Sequence, residues 1–450
     1  MMIQMNTITD DAPSNTFERR KAMSQFYNGS IGQGVEWAYD DSSRTLTLRP
    51  QDDKGVLEIE GVDWADWKWP WTSYKPEHIV IDDRVQDRFG NLPVVRNGEV
   101  YLTIDNEQLR EALEMHGHWL RQDCKGWEHM RADLRYTILE GMDLSNAVLD
   151  KAILSRAILD NANLTNAHLS GTYLIGSEMN GINAENADLT GAKCRFAKLA
   201  GAHMDHSVLD YAEFDEAAII GSELINAKAR YASFIDADIK GSVLDNAVLN
   251  GSTFSSVDFT DSSLKKAMIL DCYMPSVNFS NAVLTSAEVM RTDLPEAKFN
   301  GAVLDSASLS SSNMTNTDLT DASMVNVKLV DTDLYNAVLQ NTDLQNADIH
   351  WAVLEKATME NVQLDGTDIS YTDFSGAVLH NTSLENTNIQ KADLALTSGA
   401  LMNGDIKSVK SMIERNAPLG FKAFGSFGPP EGQELSSYDG HDDPDDFGNR

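Results

Sequence analysis

From Arg131 onward the hydrophobic positions of this chain recur every five residues. Each residue whose number ends in 4 or 9, from Leu134 to Leu394, is Leu, Ile, Phe, Met, Val, Cys or Ala, and this holds for fifty-three consecutive repeats without an insertion. Two positions earlier stands a column of small residues, among them Ala147, Ala152, Ala157, Ala162, Ala167, Thr172 and Ser177. The position between the two is often Asp or Asn, as in Asp133 and Asn163, and the last of each five is often Gly or Asn, as at Gly171, Gly176, Gly181, Asn186 and Gly191.

Five is neither the period of an α-helix nor that of a β-strand. A bend every five residues accounts for it. The central apolar residue and the small residue before it point inward, and the Gly/Asn position takes a turn geometry that tolerates positive φ. Four such sides close a square coil of twenty residues, and coils stack at about 4.8 Å. The repeats then predict about thirteen coils and a rod roughly 60 Å long. Columns at intervals of twenty should be ladders. Phe214, Phe234 and Phe254 form one, and Phe259, Phe279 and Phe299 form another. Pro275 and Pro295 share a corner in the same way. Where the central residue shrinks to Ala184, its inward neighbour grows to Ile182, which conserves volume; Ala229 has no such compensation, so its coil should be loose.

The pattern A(D/N)LXX, carried by 131–395, resembles the pentapeptide-repeat family. The resemblance implies a right-handed quadrilateral β-helix, so the fold class is all-β: a pentapeptide-repeat solenoid with a small N-terminal β module and helical caps. It also implies a bacterial source.

A solenoid leaves core and strand edges open at both ends and needs caps. Asp105-Asn106-Glu107 marks a helix start, followed by Leu109, Leu113, His116 and Leu120 at helical spacing. Ile406, Val409, Met412 and Ile413 predict a second short helix beyond the repeats. The expected organisation is a disordered 1–34, a Trp-rich β module over 35–104, a helical cap over 105–130, the β-helix over 131–395, a second helical cap over 396–424 and a disordered acidic tail over 425–450. Strands are predicted at 37–40, 45–48 and 79–81. The order Trp-Ala-Tyr-Asp, Thr-Leu-Thr-Leu, Pro-Trp and Ile-Val-Ile-Asp-Asp-Arg-Val over about 35–85 resembles the β segment flanking leucine-rich repeats in BspA-like bacterial proteins. The turns usual in that segment are replaced here by Ser43-Arg44 and Gln51-Asp52-Asp53, and no leucine-rich repeats follow.

Charge narrows the function. The net charge is −33, which repels nucleic acid and anionic membranes, so direct nucleic-acid binding and membrane insertion are not expected. Three cysteines make no disulfide framework, and no apolar stretch suits a signal peptide or a membrane span. The expected location is the bacterial cytoplasm, or outside it by export without a cleaved signal. Cys194 and Cys272 fall on inward columns as inert thiols. His116, His118, Cys124 and His129 are the visible candidates for a metal, but their spacing fits no standard zinc site. No nucleotide loop, zinc-protease helix or hydrolase elbow is present, so no catalytic residue and no cofactor is assigned.

The expected function is a non-enzymatic interaction scaffold or adaptor whose partner is another protein, a role that extends to that of an exported effector. Trp64, Trp67, Trp69 and Trp71 are a candidate partner surface. The resemblance adds an alternative, a DNA-mimicking protein that binds a type II topoisomerase such as gyrase. Its acidic surface would be drawn from Asp333, Asp343, Asp348, Asp365, Asp368 and Asp373, although the period spreads these around the rod. A third reading, an enzyme with its site in 1–130, would rest on Cys124 or His129. Capped ends predict a monomer or weak oligomer.

Overall fold

The computed structural model describes residues 26–31, 33–51, 55–57, 72–384, 386–395 and 397. Its main body follows from the five-residue rule. Residues numbered with a final 3 or 8 pair in parallel with the residue twenty further on: Asp133 with Ile153, Ile138 with Ile158, Asp143 with Asn163, Val148 with His168, and onward to Asp373 with Asp393. Four bridged positions in every twenty residues make a four-sided coil. The columns ending in 4 or 9 and in 2 or 7 are buried almost throughout and merge into one continuous core.

Each backbone group has a fixed task. The N–H of Leu144 donates upward to the Asn163 carbonyl (2.7 Å), and the Asn163 N–H donates downward to that of Met142 (2.9 Å). At the corner, the Gly141 N–H reaches Asp160 of the next coil (2.9 Å), while the Met142 N–H closes the turn on Leu139 (3.1 Å). The corner residue is left-handed in coil after coil. Gly and Asn recur there, yet Tyr211 (φ 62°) and Trp351 (φ 64°) adopt the same conformation. The stacked hydrogen bonds thus impose on L-residues a geometry costing about 1 kcal/mol each.

The aromatic columns are ladders. Phe214–Phe234 and Phe234–Phe254 ring centroids are 5.2 and 5.0 Å apart and nearly coplanar in orientation. Phe259–Phe279 and Phe279–Phe299 stand at 5.0 and 5.1 Å. Phe254 meets Phe259 across the corner at 5.6 Å, joining the two ladders. Ile182 and Ala184 are both fully buried. Ala229 is also buried, and its carbonyl accepts the Ser252 hydroxyl at 2.5 Å.

Ahead of the stack, β1 (Phe26–Ile31), β2 (Val35–Asp40), β3 (Thr45–Pro50) and β5 (His78–Ile81) form one sheet in that order, antiparallel except for the β3–β5 pair. Residues 26–31 were expected to be disordered; instead β1 pairs along its whole length with β2, and Tyr27 packs on Tyr39 and Tyr74. Alternation decides the buried face: Val35, Trp37 and Tyr39 on β2, with Leu46 and Leu48 on β3. The short β4 (Gly55–Leu57) pairs with β6 (Val85–Asp87), and β7 (Val94–Arg96) with β8 (Glu99–Thr103).

Strand β8 joins module to rod. It lies parallel to β9 (Thr137–Ile138), so that Leu102 and Thr103 continue the ladder of one side by a further step. Helix α1 (Asn106–Arg121), started by an Asp105/Gln108 capping box, lays Leu109 and Leu113 against the first-coil core. The helix expected over 406–413 and the tail from 425 lie outside the described residues.

Candidate interaction surface

The outward positions carry whatever recognition the rod has, and their chemistry begins with an unsatisfied donor. The corner residue numbered with a final 0 or 5 has an N–H that the inter-coil ladder does not use. Two side-chain arrangements take it up. In the first, Asp or Asn two residues earlier accepts it: Ser145 to Asp143 (3.0 Å), Thr190 to Asp188 (3.0 Å), Thr320 to Asp318 (3.0 Å). In the second, Asp or Asn on the same corner of the previous coil accepts it: Ser170 to Asp150 (2.9 Å), Ile225 to Asp205 (2.7 Å), Val325 to Asp305 (3.1 Å). Pro275 and Pro295 satisfy the rule differently, since proline has no N–H to leave orphaned.

The six carboxylates named as a mimic surface fall largely under this rule. Asp333, Asp343, Asp348, Asp368 and Asp373 accept the N–H of Tyr335, Gln345, His350, Ser370 and Ser375 at 2.8–3.3 Å. Asp365 instead accepts the Asn386 amide at 3.3 Å. Burial pushes Asp333 above the usual carboxylate range, against the Tyr335 N–H and with help from Glu355. Burial also acts on Asp368, but hydrogen bonds from Ser370 and Asn388 outweigh it and hold that carboxyl low. Asp348 and Asp368 are bridge partners, and Asp333 and Asp373 lie on another side, two coils apart.

The inward thiols are sealed. Burial pushes the Cys272 thiol up to about 12 and raises Cys194 further. Of the metal candidates, His116 is buried and spans α1 and the stack: its Nε2 lies 3.1 Å from the Asp150 carbonyl, and the Ala132 N–H donates to its Nδ1 at 3.1 Å. Burial lowers its pKa. The ligand atoms of His118, Asp123 and Cys124 lie within 4.8 Å of one another, a group that includes neither His116 nor His129. Arg121 donates to Asp123 at 2.7 Å, His118 Nδ1 lies 2.6 Å from the same carboxylate, and together they hold the Asp123 carboxyl at about 2. The Cys124 thiol donates to the Met130 sulfur at 3.6 Å. The cluster is therefore an ion-pair network closing the C-terminus of α1, where cations complement the helix dipole. Trp64, Trp67, Trp69 and Trp71 lie outside the described residues, while Trp37 is wholly buried in the module core.

The family model described as Pentapeptide repeats matches the chain over 130–166, 167–205, 187–224, 232–267, 291–321, 322–361 and 357–395, which is more than half its length. The chain belongs to the pentapeptide-repeat family. Among solved structures it is similar to HetL, a pentapeptide repeat protein of the cyanobacterium Nostoc sp. strain PCC 7120, at 24% identity and a TM-score of 0.35, over 46% of this chain and 89% of that one. It is also similar to a pentapeptide repeat protein of the Arabidopsis thaliana thylakoid lumen, at 20% identity and a TM-score of 0.23, over 26% and 77%. A third is QnrB1, a plasmid-mediated fluoroquinolone resistance protein, at 17% identity and a TM-score of 0.26, over 44% and 96%. No curated protein matches the chain.

For this pentapeptide-repeat protein the sequence spacing located the inward columns but not the tasks of the outward ones. The Asp/Asn column read as surface charge; its role as a turn acceptor is visible in the A(D/N)LXX pattern only once the orphan corner N–H is known. The buried group at the N-terminal junction was also missed. Arg88 and Arg135 both pair with Asp133, at 3.2 and 2.5 Å, so that β6's neighbour locks onto the first coil. Arg88 stands more than forty residues before Asp133 and carries no local signal of the pairing. Among the described residues no helix is long and apolar enough to cross a membrane.

Proposed function

We propose that this protein is a non-enzymatic scaffold that binds another protein through the outward rows of its β-helix and the Trp-rich stretch of its N-terminal module. The observation that carries the reading is the division of labour in the repeat. Two of every five side chains, including both Cys194 and Cys272, are sealed in the core, and the other three form outward rows at a fixed spacing. Such rows suit recognition of an extended partner surface, since a rigid surface loses little entropy on binding. The carboxylates that could imitate duplex phosphates already have a structural duty at the corners, which favours the scaffold over the topoisomerase-binding mimic.

The test uses the full chain, because removing β8 and α1 would strip the cover from the first coil. Affinity capture from bacterial and host lysates would compare the native protein with a Trp64→Ala/Trp67→Ala/Trp69→Ala/Trp71→Ala variant and with a variant of outward rod residues. A specific partner lost in one of the two supports the reading and assigns the surface; capture of nothing beyond control beads removes it. A gyrase supercoiling assay separates the mimic, since inhibition at micromolar protein would replace the scaffold reading with it.

A further inference from the structure

Among the described residues, every outward-pointing Phe, Tyr and Trp of the coil stack lies on one of its four sides. That side runs through 131–136 in the first coil and its equivalents at intervals of twenty. Tyr136 packs there against the module. Further along, Phe196, Tyr211, Tyr231, Tyr273 and Trp351 are 44, 60, 60, 50 and 43% exposed, and Tyr173, Tyr335 and Tyr371 are half-buried. Among the described residues, the other three sides carry no Phe, Tyr or Trp facing outward. Several rings are already ordered: Tyr211 stacks on Tyr231 at 5.3 Å, and Trp351 on Tyr371 at 4.9 Å. Lys356 and Lys391 lie over the Tyr335 and Tyr371 rings at 4.7 and 4.8 Å. This side also keeps an unbroken bridge ladder from Asp133 to Asp393.

We propose that this aromatic side is the contact between two copies of the chain, laid side by side and antiparallel. Charge along the side selects the occupant and its direction. On this side the first four coils carry Arg131, Lys151, Arg156, Lys193 and Arg195, with Arg135 buried against Asp133, in a chain whose net charge is −33; the next carboxylates, Glu213, Asp215 and Glu216, stand in the fifth coil, where Glu213 pairs with Lys193. The late coils carry Asp331, Asp333, Glu355, Asp373 and Asp393 against Lys356 and Lys391. A parallel pair would set like charge against like. An antiparallel pair with full overlap sets the coil of Asp133 level with that of Asp393. Lys193 then comes level with Asp333 of the second copy, and Tyr173 with Val353. Area points the same way. A side ~60 Å long and ~10 Å wide offers roughly 600 Å² per copy, or ~1,200 Å² in all, the lower bound of a specific interface. End-to-end stacking at the first coil is blocked by β8 and α1, whereas this side, covered by the module at Tyr136 and Arg156, is exposed from Phe196 to Trp351. Rings held in stacks lose little freedom on association.

Sedimentation equilibrium of the full-length protein at concentrations up to about 100 µM, weak association being expected of an interface at the low end of the size range, should show a monomer–dimer equilibrium that weakens as salt rises, because exposed charge pairs are screened. Replacing Tyr231 and Tyr273 by Glu should raise the dimer dissociation constant at least about tenfold while leaving the circular dichroism spectrum and melting curve unchanged. A zero-length carbodiimide cross-link between Lys193 and Asp333 tests direction. On one chain these residues are seven coils apart, ~34 Å at the stacking distance, so the link must join two copies; the ion pair of Lys193 with Glu213 supplies the internal control. A monomer throughout the range overturns the proposal, as does a dimer indifferent to both Glu substitutions. A dimer lacking the Lys193–Asp333 link overturns the antiparallel contact. None of these results bears on the scaffold reading, which concerns a different partner.

Discussion

Two pairs of stacked rings stand three residues apart in sequence and on opposite sides of the coil wall. Phe214 and Phe234 are 5.2 Å apart inside, and Tyr211 and Tyr231 are 5.3 Å apart outside. The twenty-residue period imposes both distances, so geometry does not distinguish the pairs. Environment does. The inner rings are removed from water and pack on Phe254; the outer rings are more than half exposed. Burial of a Phe side chain is worth roughly 1.5–3 kcal/mol or more, whereas an exposed stack contributes a fraction of that. One periodicity therefore builds a stabilising ladder and, a few ångströms away, a surface free to bind.

Substitutions at matched positions test this contrast. The largest effect belongs inside: Phe234→Ala removes the middle rung and should destabilise the protein by about 3–5 kcal/mol in urea unfolding. A loss near 1 kcal/mol would mean that the coil collapses around the gap.

Next comes the junction. Burial lowers the pKa of His116, so the folded state favours neutral imidazole, with Asp150 and the nearby Arg131 cation setting the remaining balance. The sign follows from linkage. Stability from this group is present above the unfolded value of about 6.5 and is lost as pH falls below it, by at most ~1.4 kcal/mol per pH unit. Unfolding measured between pH 7 and pH 5 should show this slope, and His116→Asn should flatten it.

A smaller effect is expected at Gly251, the position above Tyr231. Its φ is +73°, and an added Cβ would come within 2.5 Å of a Tyr231 ring carbon. That ring is exposed and can swing away, so Gly251→Ala should cost about 1 kcal/mol, mainly for the left-handed backbone. It should also disorder the Tyr211–Tyr231 stack, which tyrosine fluorescence anisotropy would report. Smallest of all, Tyr211→Ser should change stability by less than about 0.5 kcal/mol. A loss above 1 kcal/mol would show that the outer stack supports the fold.

Much of the rod was legible because each position repeats its environment every twenty residues. The inward columns, the Phe214–Phe234–Phe254 ladder and the shared corner of Pro275 and Pro295 follow from counting alone. The start of α1 at Asp105 was legible from its capping residues. The strand at 26–31 was not, since its partner is β2 and its own sequence, with Asn28, Gly29 and Ser30, has little strand character. The candidate site was far less legible. Asp343 and Asp373 read as surface charge until the corner N–H they accept was placed. The grouping of His118 with Asp123 depended on the chain's reversal after α1.

By itself, then, the sequence determined the family, the five-residue bend, which side chains enter the core and which columns stack, because a strict period converts position into place. Tertiary structure decided what a period cannot encode. It set strand β8 on the first coil as a cap, buried Arg88 and Arg135 around Asp133, and gave His116 to a hydrogen-bonded joint instead of a metal. Those contacts join segments with no shared repeat, and their energies depend on burial and partners that only the packed chain brings together.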